Sequence, residues 1–172
     1  MVLQCFRDKL PHLRGSRVPL KQNLWEDTVA RLDVKPAVTV GPRATVREAV
    51  AAMQQGRTGC LCVVDEEKLV GIFTERDLLK RVIGTGADFG AMISTVMSPS
   101  PATTTTDETI GTVIQGMRDR GYRHLPVVDK RGRVLGRISV REIVHYMVEF
   151  FPTVVYNLPP RPDQVDTEPE GA

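Results

Sequence analysis

The sequence predicts an α+β fold built from two pseudo-symmetric repeats, each with the element order β-α-β-β-α. One stretch, Arg57–Asp65, returns as Gly121–Asp129 at an offset of 64 residues. A second stretch, Leu69–Asp77, returns as Val134–Glu142 at an offset of 65. The match extends upstream, where the aligned positions are Thr45, Val46, Ala49, Val50 and Met53 against Thr109, Ile110, Val113, Ile114 and Met117. Such self-similarity indicates two copies of one unit, which bury their apolar faces by packing together.

The first helix of each repeat is predicted from the spacing of its apolar residues. In the first copy, residues 45–55 place Val46, Ala49, Val50 and Met53 on one side of a helix. Gly56 follows directly and is typical of a helix end. A short strand at residues 38–40 precedes this helix.

The rest of the first repeat is predicted to be a hairpin followed by a second helix. Residues 60–64 are apolar on both faces, which indicates a strand buried on both sides. A turn at residues 65–68 leads into a strand at 69–73, and Thr74 opens a helix that runs to about Ile83. The second copy repeats this order from Ala102 to about Glu149.

The chain divides into four predicted parts. A short helix near residues 89–96 connects the two copies, and an irregular arm followed by a helix near 24–32 is expected to pack against them. Beyond residue 159 the chain is rich in proline and acidic residues, which predicts disorder. The predicted boundaries are 1–33 for the arm and helix, 34–96 for the first repeat, 97–150 for the second and 151–172 for the C-terminal extension.

Composition limits the function classes. The 172 residues carry a net charge of +2, which gives no reason to expect a nucleic-acid partner. No apolar run approaches the roughly 18 residues of a membrane-spanning helix, and the N-terminus lacks the apolar stretch of a secretory signal. Three cysteines, an odd number, favour a reducing compartment over a disulfide framework. We therefore expect a cytoplasmic protein that acts neither on a membrane nor on nucleic acid.

These repeats resemble a tandem pair of CBS domains, the arrangement called a Bateman module. The resemblance covers Lys35 to Glu149 and depends on three motifs: Leu-Pro-Val-Val-Asp at 125–129, Gly-Ile-x-Thr-x-x-Asp at 71–77, and Val-Met-Ser-Pro at 96–99. It implies that the copies pack sheet to sheet about a pseudo-twofold axis. It also implies two similar clefts between the copies, whose usual occupants contain adenosine.

The first candidate cleft is centred on Thr74 and Asp77. The first-turn amides of a helix are unpaired donors at the positive end of its dipole, which favours a phosphorylated ligand. An aspartate three residues after the threonine can accept hydrogen bonds from both ribose hydroxyls. The alternative is a capping box, in which the two side chains bond only to each other and to the backbone. By the resemblance, Ile72 would present its backbone and side chain to the adenine.

Further contacts to this cleft are implied by the resemblance alone. Arg123 and His124 would reach across the pseudo-twofold axis to the ligand's phosphates; otherwise they are a solvated arginine and a half-buried histidine. In the threonine run at residues 103–106, Thr103 and Thr104 are candidate contacts. The same run is also what an edge strand of high β-propensity would show.

A second, weaker cleft would be formed by Thr39, Gly59, Cys60, Ser139 and Glu142. Here Ser139 and Glu142 form the preferred sequence of a capping box, and glutamate is one methylene longer than aspartate. Gly59 and Cys60 stand where the other copy has its arginine and histidine. The pair Cys60 and Cys62 predicts buried cysteines on one face of a strand, because no further metal ligand follows at suitable spacing.

We therefore expect a regulatory module that binds an adenine nucleotide (AMP, ADP or ATP) or another adenosine-containing ligand and transmits its occupancy to a partner. No obligatory cofactor, metal or catalytic residue is expected, because no nucleophile motif accompanies the histidines. The module is expected to be a homodimer with an unknown protein partner. The alternative is a structural dimerisation or partner-binding module whose clefts stay empty.

Overall fold

The computed structural model describes residues 20–150, and the predicted arm before residue 20 and the extension after 150 lie outside this range. The helices are α1 (Leu20–Glu26), α2 (Val46–Gln55), α3 (Glu75–Asp77), α4 (Ile110–Arg120) and α5 (Val140–Phe150). The strands are β1 (Thr39–Val40), β2 (Cys60–Asp65), β3 (Lys68–Thr74), β4 (Ser98–Pro99), β5 (His124–Val128) and β6 (Val134–Ser139). The predicted α+β class with two repeats is confirmed.

The strands form two sheets that share the same local irregularity. The first sheet has the order β1-β2-β3-β4, and the second consists of β5 and β6. The register of the first hairpin shifts between Val63 and Val64, and that of the second shifts between Val127 and Val128. Such a shift bends a hairpin and increases its twist. The two repeats therefore match in their distortion as well as in their sequence.

Each sheet takes an edge from the start of the other repeat. The strand β4 lies at the start of the second repeat but pairs with β3, where Ser98 stands opposite Ile72. Lys35 lies at the start of the first repeat but bridges Arg137 on β6, through backbone hydrogen bonds of 3.0 and 2.8 Å. The two repeats are thus interlocked by backbone pairing.

Two glycines at the same register position make this interlocking possible. A Cβ atom on Gly136 would stand 2.7 Å from the carbonyl oxygen of Lys35. A Cβ atom on Gly71 would stand 2.2 Å from the sulfur of Met97. Both distances are shorter than a normal contact. At Gly136 the neighbour is backbone, so the close approach of the crossing segment requires glycine, whereas at Gly71 the neighbour is the flexible Met97 side chain, which can shift.

The apolar cores follow the same exchange. Val29 and Leu32 precede the first repeat but are buried in the core of the second, whereas Ile93 and Val96 are buried in the core of the first. The other buried residues of the first core are Val46, Ala49, Met53, Leu61, Val63, Phe73 and Val82, and those of the second are Ile110, Val113, Met117, Leu125, Val127, Ile138, Ile143 and Tyr146. The second core therefore needs a segment that precedes the first repeat, and the first core needs the segment that connects the two copies.

The sheet faces turned away from these cores meet each other. Cys60, Cys62 and Ile72 on the first sheet and Pro126 on the second are buried, although none belongs to either apolar core. Because side chains alternate along a strand, these residues lie on the opposite face from Leu61, Phe73 and Leu125. The predicted packing of sheet against sheet is confirmed.

Three predicted helices differ in form. The helix expected near residues 24–32 ends at Glu26, and a 3₁₀ turn follows at Val29–Arg31, because the amide of Val29 donates to the carbonyl of Glu108 in the second repeat. The helix opened by Thr74 continues beyond α3 as a π-helix over Leu78–Ile83. The connecting helix is only a 3₁₀ turn, Ile93–Thr95. In the segment near residues 24–32, a hydrogen bond to the second repeat therefore replaces an intrahelical hydrogen bond.

Candidate functional site

A cavity of about 420 Å³ lies between the two repeats. Its walls come from the end of β3, from α3, from the segment around β4 and from the start of β5. Five residues singled out from the sequence line it together: Ile72, Thr74, Asp77, Arg123 and His124. The volume lies within the range of small-molecule sites. The first three of these residues and the last two are separated by at least 46 positions in the chain, yet they line one cavity.

One oxygen of Asp77 completes a capping box at the floor of this cavity. Its Oδ2 accepts hydrogen bonds from the hydroxyl (2.6 Å) and the amide (3.0 Å) of Thr74. In return, the amide of Asp77 donates to the Thr74 hydroxyl at 3.2 Å. These bonds satisfy amides that the helix start leaves unpaired, which explains locally why this sequence turns from strand to helix.

The other oxygen of Asp77 is bound by residues that the sequence analysis missed. Its Oδ1 accepts a hydrogen bond from the hydroxyl of Ser98 at 3.1 Å and stands 3.4 Å from Nε of Arg81. Arg81 also donates from Nη1 to the carbonyl oxygen of Met97 at 2.6 Å. The spacing of Asp77 and Arg81, four residues on a helix, was a visible signal for the ion pair. The buried carboxylate is therefore tied to the segment that links the repeats.

The cavity wall carries an excess of positive charge. Arg76, Lys80 and Arg123 line it and are exposed, and none forms an ion pair with another residue in the described range. The acids of the wall are Glu75 and Asp77. Three cations without a partner within reach of one cavity favour an anionic group there.

His124 contributes a neutral imidazole to the wall. Burial lowers the pKa of this side chain below its usual 6.5, and the charge of Arg137 lowers it further, while Glu142 and Glu75 oppose the shift. At pH 7 the ring is therefore an uncharged donor and acceptor of hydrogen bonds. A bound anion would raise this pKa, because it stabilises the protonated ring.

The two threonine candidates do not line the cavity. Thr104 is buried, and its hydroxyl donates to the carboxylate of Glu108 at 2.7 Å. Its backbone pairs in parallel with Val127, which anchors this segment to β5. Thr103 is exposed. The threonine run thus forms only a single bridge to the sheet, and its one buried hydroxyl is used within the fold.

The residues of the predicted second cleft are placed differently. Ser139 donates to Oε2 of Glu142 from its amide (2.7 Å) and from its hydroxyl (2.5 Å), as in a capping box. Thr39 is exposed on β1, and Cys60 is buried between the sheets. Gly59 lines the first cavity, because its carbonyl accepts a hydrogen bond from the amide of Glu75 at the start of α3.

The buried cysteines are held as thiols. Burial raises the pKa of Cys62 to about 12 and raises that of Cys60 as well. A thiol in this state is a poor nucleophile. Within residues 20–150, no group of three or more histidine, cysteine or acidic side chains is arranged to hold a metal ion. In the same range, every helix is too short or too polar to cross a membrane.

Comparisons with known proteins match this architecture. The family model described as CBS domain matches residues 29–84 and 93–149. The CBS domain-containing protein CBSCBSPB1 of Arabidopsis thaliana is 32% identical over 117 residues, which are 67% of this chain but 22% of that protein. The chain therefore spans about a fifth of that relative's length.

Two solved structures share the fold. The CBS domain pair of the protein MJ0100, solved with 5′-methylthioadenosine and S-adenosyl-L-methionine, is 27% identical with a TM-score of 0.64, and the match covers 70% of this chain and 94% of that one. The CBS domain protein PAE2072 from Pyrobaculum aerophilum, complexed with AMP, is 23% identical with a TM-score of 0.65, covering 72% and 97%. The second likeness is one of fold alone.

Proposed function

Since the chain belongs to the CBS-domain family as a tandem pair of repeats, we propose that it is a regulatory module that binds an adenosine-containing ligand in the cavity at Asp77. One observation carries this proposal. Side chains from both repeats, Asp77 from the first and Arg123 from the second, line the same cavity. A ligand held by both would make the relative position of the repeats depend on its presence.

The chemistry of the wall suits the two ends of a nucleoside phosphate. A carboxylate can accept a bond from each ribose hydroxyl, as Asp77 would do after Ser98 gives way. Ile72 offers an apolar surface for the base, and Arg123 offers a forked donor for phosphate. The two adenosine compounds in the MJ0100 structure support the adenosine half of this assignment.

The positive wall favours a phosphorylated ligand. Arg76, Lys80 and Arg123 attract phosphate and repel the sulfonium group of S-adenosylmethionine. AMP, ADP and ATP therefore fit the wall better than that compound. In this proposal the ligand acts as a regulator, and we expect no obligatory cofactor.

Replacing Arg123 with alanine is expected to weaken AMP binding by about tenfold or more, because a hydrogen bond to a charged group contributes about 1.5–3 kcal/mol. Adenosine, which lacks the phosphate, should bind both proteins equally. Calorimetric titration of the two ligands measures this difference. The control is Arg118→Ala, which removes an exposed arginine on α4 that is paired with Asp119.

An equal loss for AMP and adenosine would mean that Arg123 does not contact phosphate. If neither ligand bound the unmodified protein at millimolar concentration, the proposed function itself would be excluded. That result would favour a structural dimerisation or partner-binding role.

The contacts of Asp77 suggest how occupancy is transmitted. A ligand that bonds to Oδ1 must replace Ser98 and compete with Arg81, and Arg81 also holds the carbonyl of Met97. Ligand binding would therefore loosen the segment that links the repeats. A ligand shifts a conformational equilibrium only by binding one state better, and this exchange of partners supplies such a difference. The protein partner that reads the change is unidentified.

We also infer that the module forms a homodimer through the helices behind each cleft. Leu79 and Ile83 in the first repeat are 63% and 57% exposed, and Val140 and Val144 on α5 are exposed as well. Large apolar side chains that cluster on exposed helices favour association, and two-fold packing is the commonest form.

Replacing Leu79 with aspartate is expected to convert the dimer to a monomer, because a buried unpaired charge is costly in an apolar interface. Sedimentation velocity measures the change in mass. Leu135→Asp, at a position 54% exposed on β6, is the matched control and should leave the dimer intact. A monomeric unmodified protein, or a dimer unaffected by Leu79→Asp, would contradict this interface.

The remaining expectations are negative or concern location. A regulatory role without catalysis, without nucleic acid and in the cytoplasm stays our prediction. Steady-state turnover of AMP, ADP or ATP by the purified protein would contradict the first part of it.

A further inference from the structure

Three large apolar side chains line the cavity, and they differ in how much of their surface is accessible. Ile72 is 9% exposed and Leu125 is 6% exposed, whereas Tyr122 is 40% exposed. A ligand gains free energy from apolar contact in proportion to the surface that it removes from water. Tyr122 therefore offers a nucleobase more surface to cover than either of the other two.

The ring of Tyr122 has no hydrogen-bonding or stacking partner within residues 20–150. Its hydroxyl makes no hydrogen bond there, and no aromatic ring or arginine stacks on its face. Among the cavity-lining residues of this range, it is also the only phenylalanine, tyrosine or tryptophan. Small-molecule sites are lined mainly by apolar and aromatic side chains, so an open ring at this wall suits a flat ligand group.

The backbone on both sides of Tyr122 is held by hydrogen bonds. Its own amide donates to the carbonyl oxygen of Met117 at 2.9 Å, after Gly121 has turned the chain out of α4 with a φ of 66°. On the other side, the carbonyl oxygen of Arg123 accepts a hydrogen bond from the amide of Val140 at 3.1 Å. A side chain on a fixed backbone loses less conformational freedom when a ligand binds.

The other side chains of the wall leave the base as the part of the ligand that suits this ring. Arg76, Lys80 and Arg123 suit the phosphate, and the carboxylate of Asp77 suits the ribose hydroxyls. An aromatic side chain stacks favourably on another flat aromatic system. Every nucleobase presents such a face, whereas ribose and phosphate do not.

We propose that the ring of Tyr122 stacks on the base of the bound nucleotide. This inference rests on the proposed function and adds to it a residue that holds the base. The alternative is that Tyr122 only packs on α4, because an apolar residue directly after a glycine at a helix end commonly contacts the last turns of that helix. Leucine can make that contact but cannot stack, so Tyr122→Leu separates the two roles.

Tyr122→Leu is expected to lower the affinity for AMP and for adenosine by the same factor. The loss should be about fivefold to a hundredfold, because stacking of a base on an aromatic side chain contributes that much. Tyr122→Phe keeps the ring and should restore the affinity. Leu135→Ala, which removes an exposed apolar side chain away from the cavity, is the matched control and should bind both ligands like the unmodified protein. Calorimetric titration measures these affinities.

The outcomes distinguish this inference from the proposed function. If AMP binds the Tyr122→Leu variant as tightly as the unmodified protein, stacking is excluded while the proposed function stands. A loss for AMP without a loss for adenosine would place the ring at the phosphate, and an equal loss in Tyr122→Phe would assign the effect to the hydroxyl. Either result overturns the inference. If neither ligand binds the unmodified protein, the proposed function fails and the inference fails with it.

A direct contact also has a spectroscopic signature. The chain has three tyrosines, so tyrosine-labelled protein gives three sets of ring signals in a nuclear magnetic resonance spectrum, and the set absent from Tyr122→Phe belongs to Tyr122. A base stacked on the ring shifts these signals upfield through its ring current. We expect this shift with adenosine, which carries no phosphate charge. Unshifted Tyr122 signals at saturating adenosine would overturn the inference.

Discussion

Replacing Asp77 with alanine is expected to lower the affinity for AMP by at least about a hundredfold. In the proposed complex the carboxylate accepts two ribose hydroxyls, and each bond to a charged group contributes about 1.5–3 kcal/mol. Since 1.4 kcal/mol corresponds to a factor of ten, the loss of both bonds accounts for about two orders of magnitude or more. Calorimetric titration of AMP into both proteins measures the change.

The control for this variant lies in the same repeat. Asp77 also completes a capping box, and the loss of a cap costs about 0.5–2 kcal/mol of stability. Glu48 completes an equivalent box with Thr45 at the start of α2, away from the cavity. Glu48→Ala should therefore lower stability while AMP binds as before. An equal loss of affinity in both variants would show that helix capping, and not ribose recognition, explains the effect.

Replacing Phe73 with alanine is expected to lower the free energy of unfolding by about 3–5 kcal/mol. Among the residues whose burial the structure describes, Phe73 is the largest fully buried side chain, and it belongs to the first core with Leu61 and Val46. Its removal leaves a cavity, because the sheet and the helices around it relax only partly. Urea unfolding followed by circular dichroism measures the shift of the midpoint.

The matched control is Leu135→Ala, at an exposed position on β6. Exposed substitutions of this kind usually change stability by less than about 0.5 kcal/mol. A loss below about 1 kcal/mol for Phe73→Ala would contradict the packing described for the first core. Because a domain is stable by only about 5–15 kcal/mol, the expected loss is a large fraction of the total.

The sequence left two interpretations of Thr74 and Asp77 open, and the structure shows how they are related. The capping box uses only Oδ2 of Asp77, while Oδ1 faces Ser98 and Arg81. A carboxylate has lone pairs for both roles. The cap is therefore present in the fold, and ribose recognition stays a prediction that the Asp77 variant tests.

The threonine run at residues 103–106 shows what residue type alone does not predict. The β-propensity of the run is typical of a strand, but it does not say which edge the strand will pair with. Thr104 pairs with Val127, and this pairing turns its hydroxyl toward Glu108 instead of the cavity. The placement of Gly59 beside the first cavity likewise depends on its bond to Glu75 across the hairpin end.

By itself, the sequence determined the two-copy α+β fold and pointed to five of the residues that line the cavity. It could do so because repeats, helix periodicity and capping motifs are local properties of the chain. The tertiary structure alone decided that Val29 and Lys35 join the second repeat and that Ser98 reaches Asp77 in the first. These contacts join segments that are distant in the chain or belong to different repeats. Periodicity specifies which face of a segment is apolar, but it does not specify which segment will pair with it. That pairing depends on which sheet edge is open and on a glycine that lets the neighbouring backbone approach.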